Sequence, residues 1–148
     1  VVSFHDGSDV TVSLFAAGSA EPKYTVAVPG GTKDSSGKYT ATYDIPEAAP
    51  GTYTMQVSKK NHVTREYTVT VSGDTKTQNA EIWLLGDVNG DGRVNAMDCT
   101  RLLTHVNKTQ PLTDAYVLKC ADVNRDSRVN AMDCTRLLTH VNKTQPLW

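Results

Sequence analysis

The sequence predicts two domains, an amino-terminal antiparallel β-sandwich over residues 1–84 and a small all-α module over residues 85–148. Three observations carry that expectation. In the first half apolar residues alternate with polar ones, the period of two that marks half-buried strands. From Gly86 onward the period becomes helical. The second half also repeats itself: residues 87–112 read DVNGDGRVNAMDCTRLLTHVNKTQPL and residues 122–147 read DVNRDSRVNAMDCTRLLTHVNKTQPL, with 24 of 26 positions identical at an offset of 35. The two exceptions are Gly90/Arg125 and Gly92/Ser127.

Composition narrows the function classes. With 39% apolar and 21% charged residues the chain of 148 should fold rather than stay disordered. The longest apolar run, Ile82 to Leu85, is far below the ~18 residues of a membrane span, so no membrane insertion is expected. Fifteen basic against sixteen acidic residues, with no polybasic block, argue against a nucleic-acid partner. Three cysteines give neither a disulfide framework nor a Cys-x-x-Cys metal pair. Opening on Val1-Val2 with no charged-then-apolar leader, the chain reads as a mature segment or a fragment.

Taken in order, the alternating sets are Val10, Val12, Leu14; Tyr24, Val26, Val28; Tyr39, Ala41, Tyr43, Ile45; Tyr53, Met55, Val57; and Tyr67, Val69, Val71. Turn chemistry separates them: Pro29-Gly30-Gly31, Ser35-Ser36-Gly37, Pro50-Gly51 and Ser72-Gly73-Asp74. About seven short strands, each with one apolar face, pack best as a sandwich. Tyr24, Tyr39, Tyr43, Tyr53 and Tyr67 all fall on the inward set, which argues against an exposed sugar-binding platform. Glu81 to Leu84 reads as a further strand, and Thr113 to Ala121 as a short helix with Thr113 at its N-cap.

Each repeat opens with oxygen ligands at loop positions 1, 3, 5, 9 and 12. These are Asp87, Asn89, Asp91, Asn95 and Asp98 in the first copy, and Asp122, Asn124, Asp126, Asn130 and Asp133 in the second. The carbonyls of Arg93 and Arg128 fall at position 7. Hard oxygen donors at this spacing suit Ca²⁺ better than Zn²⁺, which prefers nitrogen and sulfur. Two such loops in register imply two Ca²⁺. Position 12 is Asp where an EF-hand has Glu, and no helix is expected at the usual hinge distance before either first Asp. Each unit is therefore a loop plus an exiting helix, and two must pack together. That geometry disfavours a sensor that opens a groove.

At 100° per residue, Cys99, Leu102, Leu103 and Val106 form the expected core stripe of the first helix, and Cys134, Leu137, Leu138 and Val141 that of the second. Met97, Arg101, Thr104 and Lys108 lie opposite, as do Met132, Arg136, Thr139 and Lys143. A methionine amid charges, twice, beside Ala96 and Ala131, suits an adaptable contact surface. His105 and His140 read as exposed residues near helix ends, and Cys99 and Cys134 as small core hydrophobes that a twofold axis could bring face to face. Trp148, which breaks the repeat, is expected to pack against the segment from Trp83 to Gly86.

The tandem D-x-N-x-D-x-x-x-N-x-x-D loops from Gly86 to Trp148, each followed by one helix, closely resemble the dockerin family, type I-like. The resemblance implies calcium binding and docking onto a cohesin module of a scaffoldin or cell-surface protein. It further implies a place in a secreted, extracellular cellulosome-type complex that degrades polysaccharide. Family contact positions fall here on Ala96, Met97, Leu103, Thr104 and Lys108, and on Ala131, Met132, Leu138, Thr139 and Lys143, with Arg101 and Arg136 on the same faces. Well-known dockerins carry hydroxyl residues at the first two positions. Ala-Met departs from that and implies a cohesin with an apolar patch. The stretch GTYTMQVSKKNHVTREYTVTV resembles the X modules, small immunoglobulin-like, prealbumin-like or carboxypeptidase-regulatory-like β modules that precede some dockerins.

The function expected is thus a non-catalytic adaptor, monomeric when free, that docks by either of two equivalent faces. The alternatives are a calcium buffer or sensor, and the targeting tail of a polysaccharide-degrading enzyme. No Ser-His-Asp set and no carboxylate pair outside the loops suggests catalysis.

Overall fold

The computed structural model describes residues 1–148, which divide into two compact units, Val1–Ile82 and Trp83–Trp148. The first unit holds seven strands: β1 (Val2–Ser3), β2 (Thr11–Ala16), β3 (Tyr24–Ala27), β4 (Thr32–Lys33), β5 (Tyr39–Thr40), β6 (Gly51–Ser58) and β7 (Arg65–Val71). They form a four-stranded sheet in the order β3-β2-β6-β7 and a three-stranded sheet in the order β1-β5-β4, antiparallel throughout. The segment after β7 returns beside β1, where Val2 and Glu81 form a parallel bridge.

Register explains the alternating pattern. Across the larger sheet Tyr24, Leu14, Met55 and Tyr67 lie in one row, and Val26, Val12, Val57 and Arg65 in the next. One face of these rows is buried with Val28, Ala41, Val69, Ala80 and Ile82. The inward tyrosines also find polar partners, as buried phenols must. Tyr53 Oη donates to the Ala49 carbonyl at 2.9 Å and Tyr43 Oη to the Gln78 carbonyl at 2.8 Å, while Tyr24 Oη accepts from the Ala49 N–H at 3.0 Å. The tyrosines therefore tie loops to the sheet, and no aromatic of this unit stands among the exposed large hydrophobic residues.

Two expected strands are shorter than their patterns. The alternation over 39–45 yields a ladder only at Tyr39–Thr40. Ala41, Tyr43 and Ile45 still face the core, but Ala41 bonds across to Val1 while Ile45 accepts only from the Ala48 N–H, in a turn. Pro46 restricts Ile45 and cannot itself donate to a ladder. Glu81 to Leu84 forms isolated bridges rather than a strand.

The second unit contains α1 (Ala96–Val106), α2 (Ala115–Ala121) and α3 (Ala131–Val141). The identical helices α1 and α3 pack on each other, with Leu102 and Leu137 fully buried. Asp114, not Thr113, caps α2: its Oδ1 accepts from the Tyr116 and Val117 N–H groups at 2.7 and 3.1 Å. The second loop does have a preceding helix, since α2 ends at Ala121, directly before Asp122. The first loop has none.

Candidate functional site

Each loop folds around its own carboxylates. In the first, Asp87 Oδ1 accepts from the Gly90 N–H at 2.7 Å and Oδ2 from the Gly92 N–H at 2.9 Å. Asp98 Oδ1 accepts from Val88 and Asn89 at 2.8 and 3.2 Å, and its Oδ2 from Asn95 at 2.9 Å. Asn89 and Asp91 bond each other, and Asp91 Oδ1 accepts from the Arg93 N–H at 2.9 Å. These bonds tie positions 1, 3, 5 and 12 into one hydrogen-bonded loop, in which no three acidic side chains yet converge as a ready-made metal group. The second loop repeats the scheme with Asp122, Asn124, Asp126, Arg128, Asn130 and Asp133.

Asp87, Asp98 and Asp133 are each 0% exposed. Burial, with the charges of Asp98 and Asp91 adding to it, pushes the Asp87 carboxyl up to about 6 against the pull of its backbone donors. Burial likewise raises Asp98. In the first loop the buried Asp87 and Asp98 and the exposed Asp91 repel one another unless a cation joins them. The donor set is all oxygen, which fits Ca²⁺ and not a soft or nitrogen-seeking metal. Asn95 and Asn130 at position 9 spend their side-chain oxygens on N-capping, accepting from the Met97 and Met132 N–H groups at 2.8 Å. Position 9 of such a loop commonly acts through water, so this does not conflict with the donor set. The capping box closes with Asp98 and Asp133, which makes loop and helix start one structure.

The helices turn differently from the expected stripe. The buried line runs through Asp98 and Leu102, not through Leu103, which is 48% exposed, as is Leu138. Cys99, Val106, Cys134 and Val141 are half-buried. All three cysteines are free. With Met97 and Met132 at 65% and 66%, the exposed large hydrophobic residues of the whole chain are these four and Trp148. Ala96 and Ala131 are exposed at the helix starts.

The other outward residues are more engaged than expected. Thr104 and Thr139 are half-buried, and each hydroxyl donates to the carbonyl of Arg101 or Arg136 at 2.7 Å. Arg101 Nη1 reaches the Gln110 carbonyl at 2.7 Å, and Arg136 reaches those of Gln145 and Pro146 at 2.6 and 2.5 Å. Both arginines thus clamp the chain leaving the helix. Lys108 and Lys143 are not on the helix at all: they follow its end in the left-handed conformation, at φ of 60° and 58°.

Sequence reasoning missed three further features. His105 and His140 are half-buried, and each Nδ1 accepts a backbone N–H, from Leu112 at 2.9 Å and Leu147 at 3.0 Å. Burial and nearby Arg136 lower the pKa of His140, which favours that neutral acceptor. Trp148 packs at a tilt against His140, with ring centroids 4.8 Å apart and ring planes 55° apart, and is 46% exposed. It is Leu147, not Trp148, that reaches Gly86. Trp83, for its part, packs edge-to-face with Tyr116 and covers the Gly90 turn so closely that a Cβ there would lie 2.7 Å from the ring. Its lack of a second-copy counterpart, since Leu118 and not Trp stands at the offset of 35, was the only sequence signal.

Residues 85–142 match the dockerin type I domain. The carboxy-terminal unit is a dockerin. No curated protein matches the chain. Among solved structures, the chain is similar to two type II cohesin–X–dockerin complexes from Acetivibrio cellulolyticus. One is a C-terminal interface mutant, at 21% identity and a TM-score of 0.31, and the other an N-terminal interface mutant, at 23% and 0.30. Each likeness covers 89% of this chain and 80% of the other. The dockerin's two loop-helix units account for both the repeat and the buried carboxylates.

Proposed function

We propose that this chain is a cohesin-docking adaptor whose dockerin is held folded by two Ca²⁺, with the β unit serving as a structural X module. The observation that carries the docking reading is the exposure of Met97 and Leu103 on α1 and of Met132 and Leu138 on α3, on two helices of identical sequence. Apolar side chains held in water on a rigid helix are what a partner surface buries. Ala96 and Ala131 keep the helix starts small enough for close approach. The match of residues 85–142 to the dockerin type I domain supports the same partner, and the Ala-Met pairs call for an apolar patch on it.

Asp87, Asn89, Asp91, Asp98 and the Arg93 carbonyl would hold one ion, and Asp122, Asn124, Asp126, Asp133 and the Arg128 carbonyl the other, with Asn95 and Asn130 beyond them. Bound calcium neutralises the carboxylates and so permits the folded loop. The protein's own residues do the rest: Asp98 and Asp133 join loop to helix, and Asn95 and Asn130 fix where each helix starts. The unit of 66 residues is too small to depend on its core alone. Dockerins work in extracellular complexes, so the chain is assigned there, and the dockerin itself contributes docking rather than catalysis.

The test is a pull-down against immobilised cohesins of both types, with calcium and with chelator, beside circular dichroism. Calcium-dependent capture and loss of helix on chelation, with the β signal retained, are expected. Capture by no cohesin defeats the docking reading, and unchanged dichroism in chelator defeats the calcium reading.

A further inference from the structure

The two loops are not equivalent, although their ligands are. At loop positions 4 and 6 the first copy has Gly90 and Gly92, at φ of 77° and 80°. The second copy has Arg125 and Ser127 in the same left-handed region, at 60° and 68°. A side chain there crowds the following carbonyl, a cost that glycine escapes. While the carboxylates repel and the loop is open, Arg125 and Ser127 can relax to ordinary angles, so that cost falls due when the loop closes on an ion.

Packing adds to the difference. The Trp83 ring lies on the Gly90 turn, and the Trp83 backbone N–H donates to Tyr116 Oη at 3.0 Å, so an indole covers the first loop and a phenol anchors the chain entering it. The Gly86 N–H donates to the Cys120 carbonyl at 2.9 Å, fixing the lead-in to Asp87. Asp87 is fully buried, whereas Asp122 is half-buried and Arg125 stands in solvent. In the second loop Asp122 Oδ1 reaches only as far as the Asp126 N–H, at 3.1 Å, where Asp87 Oδ1 holds Gly90 at 2.7 Å. A braced loop loses less freedom on closing, and a buried carboxylate attracts a cation through a lower dielectric.

We infer that the dockerin loads calcium in a fixed order, the Asp87 loop first and the Asp122 loop at a concentration about tenfold higher or more. The inference rests on the calcium reading above. Since Asn130 and Asp133 belong both to the second loop and to the cap of α3, filling that loop and fixing the start of α3 are one event. The unit therefore folds in two calcium-dependent steps.

The experiment is titration calorimetry of the full, chelator-stripped chain with CaCl₂, paralleled by circular dichroism at 222 nm. Two phases separated by about tenfold or more are expected. Asp87→Asn should remove the tighter phase and Asp122→Asn the weaker one. The double substitution Arg125→Gly with Ser127→Gly should bring the second phase to within about threefold of the first. A single phase with two equivalent sites, an Asp122→Asn variant that lacks the tighter phase, or an unchanged gap after the glycine substitutions would overturn the order. No binding in either phase would overturn the calcium reading itself, and the order with it.

Discussion

Gly90 shows how a single missing atom positions a site. Its φ of 77° is open to glycine, and its hydrogen faces the Trp83 ring. Gly90→Ala adds left-handed strain and an overlap that the braced indole cannot easily relieve, so it should destabilise the calcium-loaded dockerin by roughly 2–4 kcal/mol. Arg125→Ala, at the equivalent but open position, should change stability by less than about 0.5 kcal/mol. Chemical denaturation followed at 222 nm compares the two. His62 decides a different property, in the β unit. Its Nδ1 lies 2.7 Å from the Lys60 carbonyl and its Nε2 3.4 Å from Ser3 Oγ, a neutral imidazole's pattern. Burial drives its pKa to about 4, with His5 and Lys59 adding to the fall. The folded pKa lies below the unfolded one, so the unfolded chain takes the proton first. Stability tied to His62 is complete above pH 6.5 and is lost as pH falls toward 4. After screening by solvent the loss should be on the order of 1 kcal/mol, and His62→Gln should flatten it in thermal melts of the β unit.

At the scale of elements, α1 and α3 are eleven residues each, too short to persist alone in water. Their starts are fixed by capping boxes, Asn95 with Asp98 and Asn130 with Asp133. Asn95→Ala and Asn130→Ala should each cost about 1 kcal/mol in urea titrations at saturating calcium. An effect under 0.3 kcal/mol would show that the loop alone sets the helix start. The starts of these two helices were readable in advance, because capping chemistry is local, whereas their ends, which leave Lys108 and Lys143 off the helix, were not. Which side they bury was not. The expected stripe gave Leu103 to the core and did not include Asp98, on the ordinary ranking of apolar above charged. Asp98 turns inward because loop N–H groups satisfy both its oxygens, and the helix rotates with it. Leu103 is left outside, where it joins Met97 on the contact face. The same distinction governs the β unit: alternation gave the inward residues Ala41, Tyr43 and Ile45, though Tyr39 is not among the core residues, while the ladder ended at Thr40 for want of partners.

For the whole molecule, the repeat offers one cohesin surface two like ligands. The exposed sets on α1 and α3 are identical in sequence and nearly so in exposure. Having two equal docking modes adds only RT ln 2, about 0.4 kcal/mol. Met97→Asp should therefore weaken cohesin binding only about twofold at saturating calcium, and Met132→Asp the same, since the other helix takes over. The double variant should lose several kcal/mol. Surface plasmon resonance on the three variants reads this non-additivity. One severe single substitution beside a silent one would mean a single docking mode.

Sequence alone determined the two-part division of pattern, four of the five inward tyrosines (Tyr24, Tyr43, Tyr53 and Tyr67), the ligand spacing of both loops and the repeat that makes two faces from one design. These are legible because they depend on neighbours within a few positions: strand alternation, turn residues, capping and the twelve-residue loop. Tertiary structure decided which helix face is buried, that Leu103 and Leu138 stand outside, and that Arg101 and Arg136 hold the departing chain. It also decided that Leu147 rather than Trp148 meets Gly86, and that Trp83 reserves the Gly90 turn for a residue without a side chain. Each of those outcomes depends on groups far apart in the chain competing for one space or one hydrogen bond, and no local pattern records who wins.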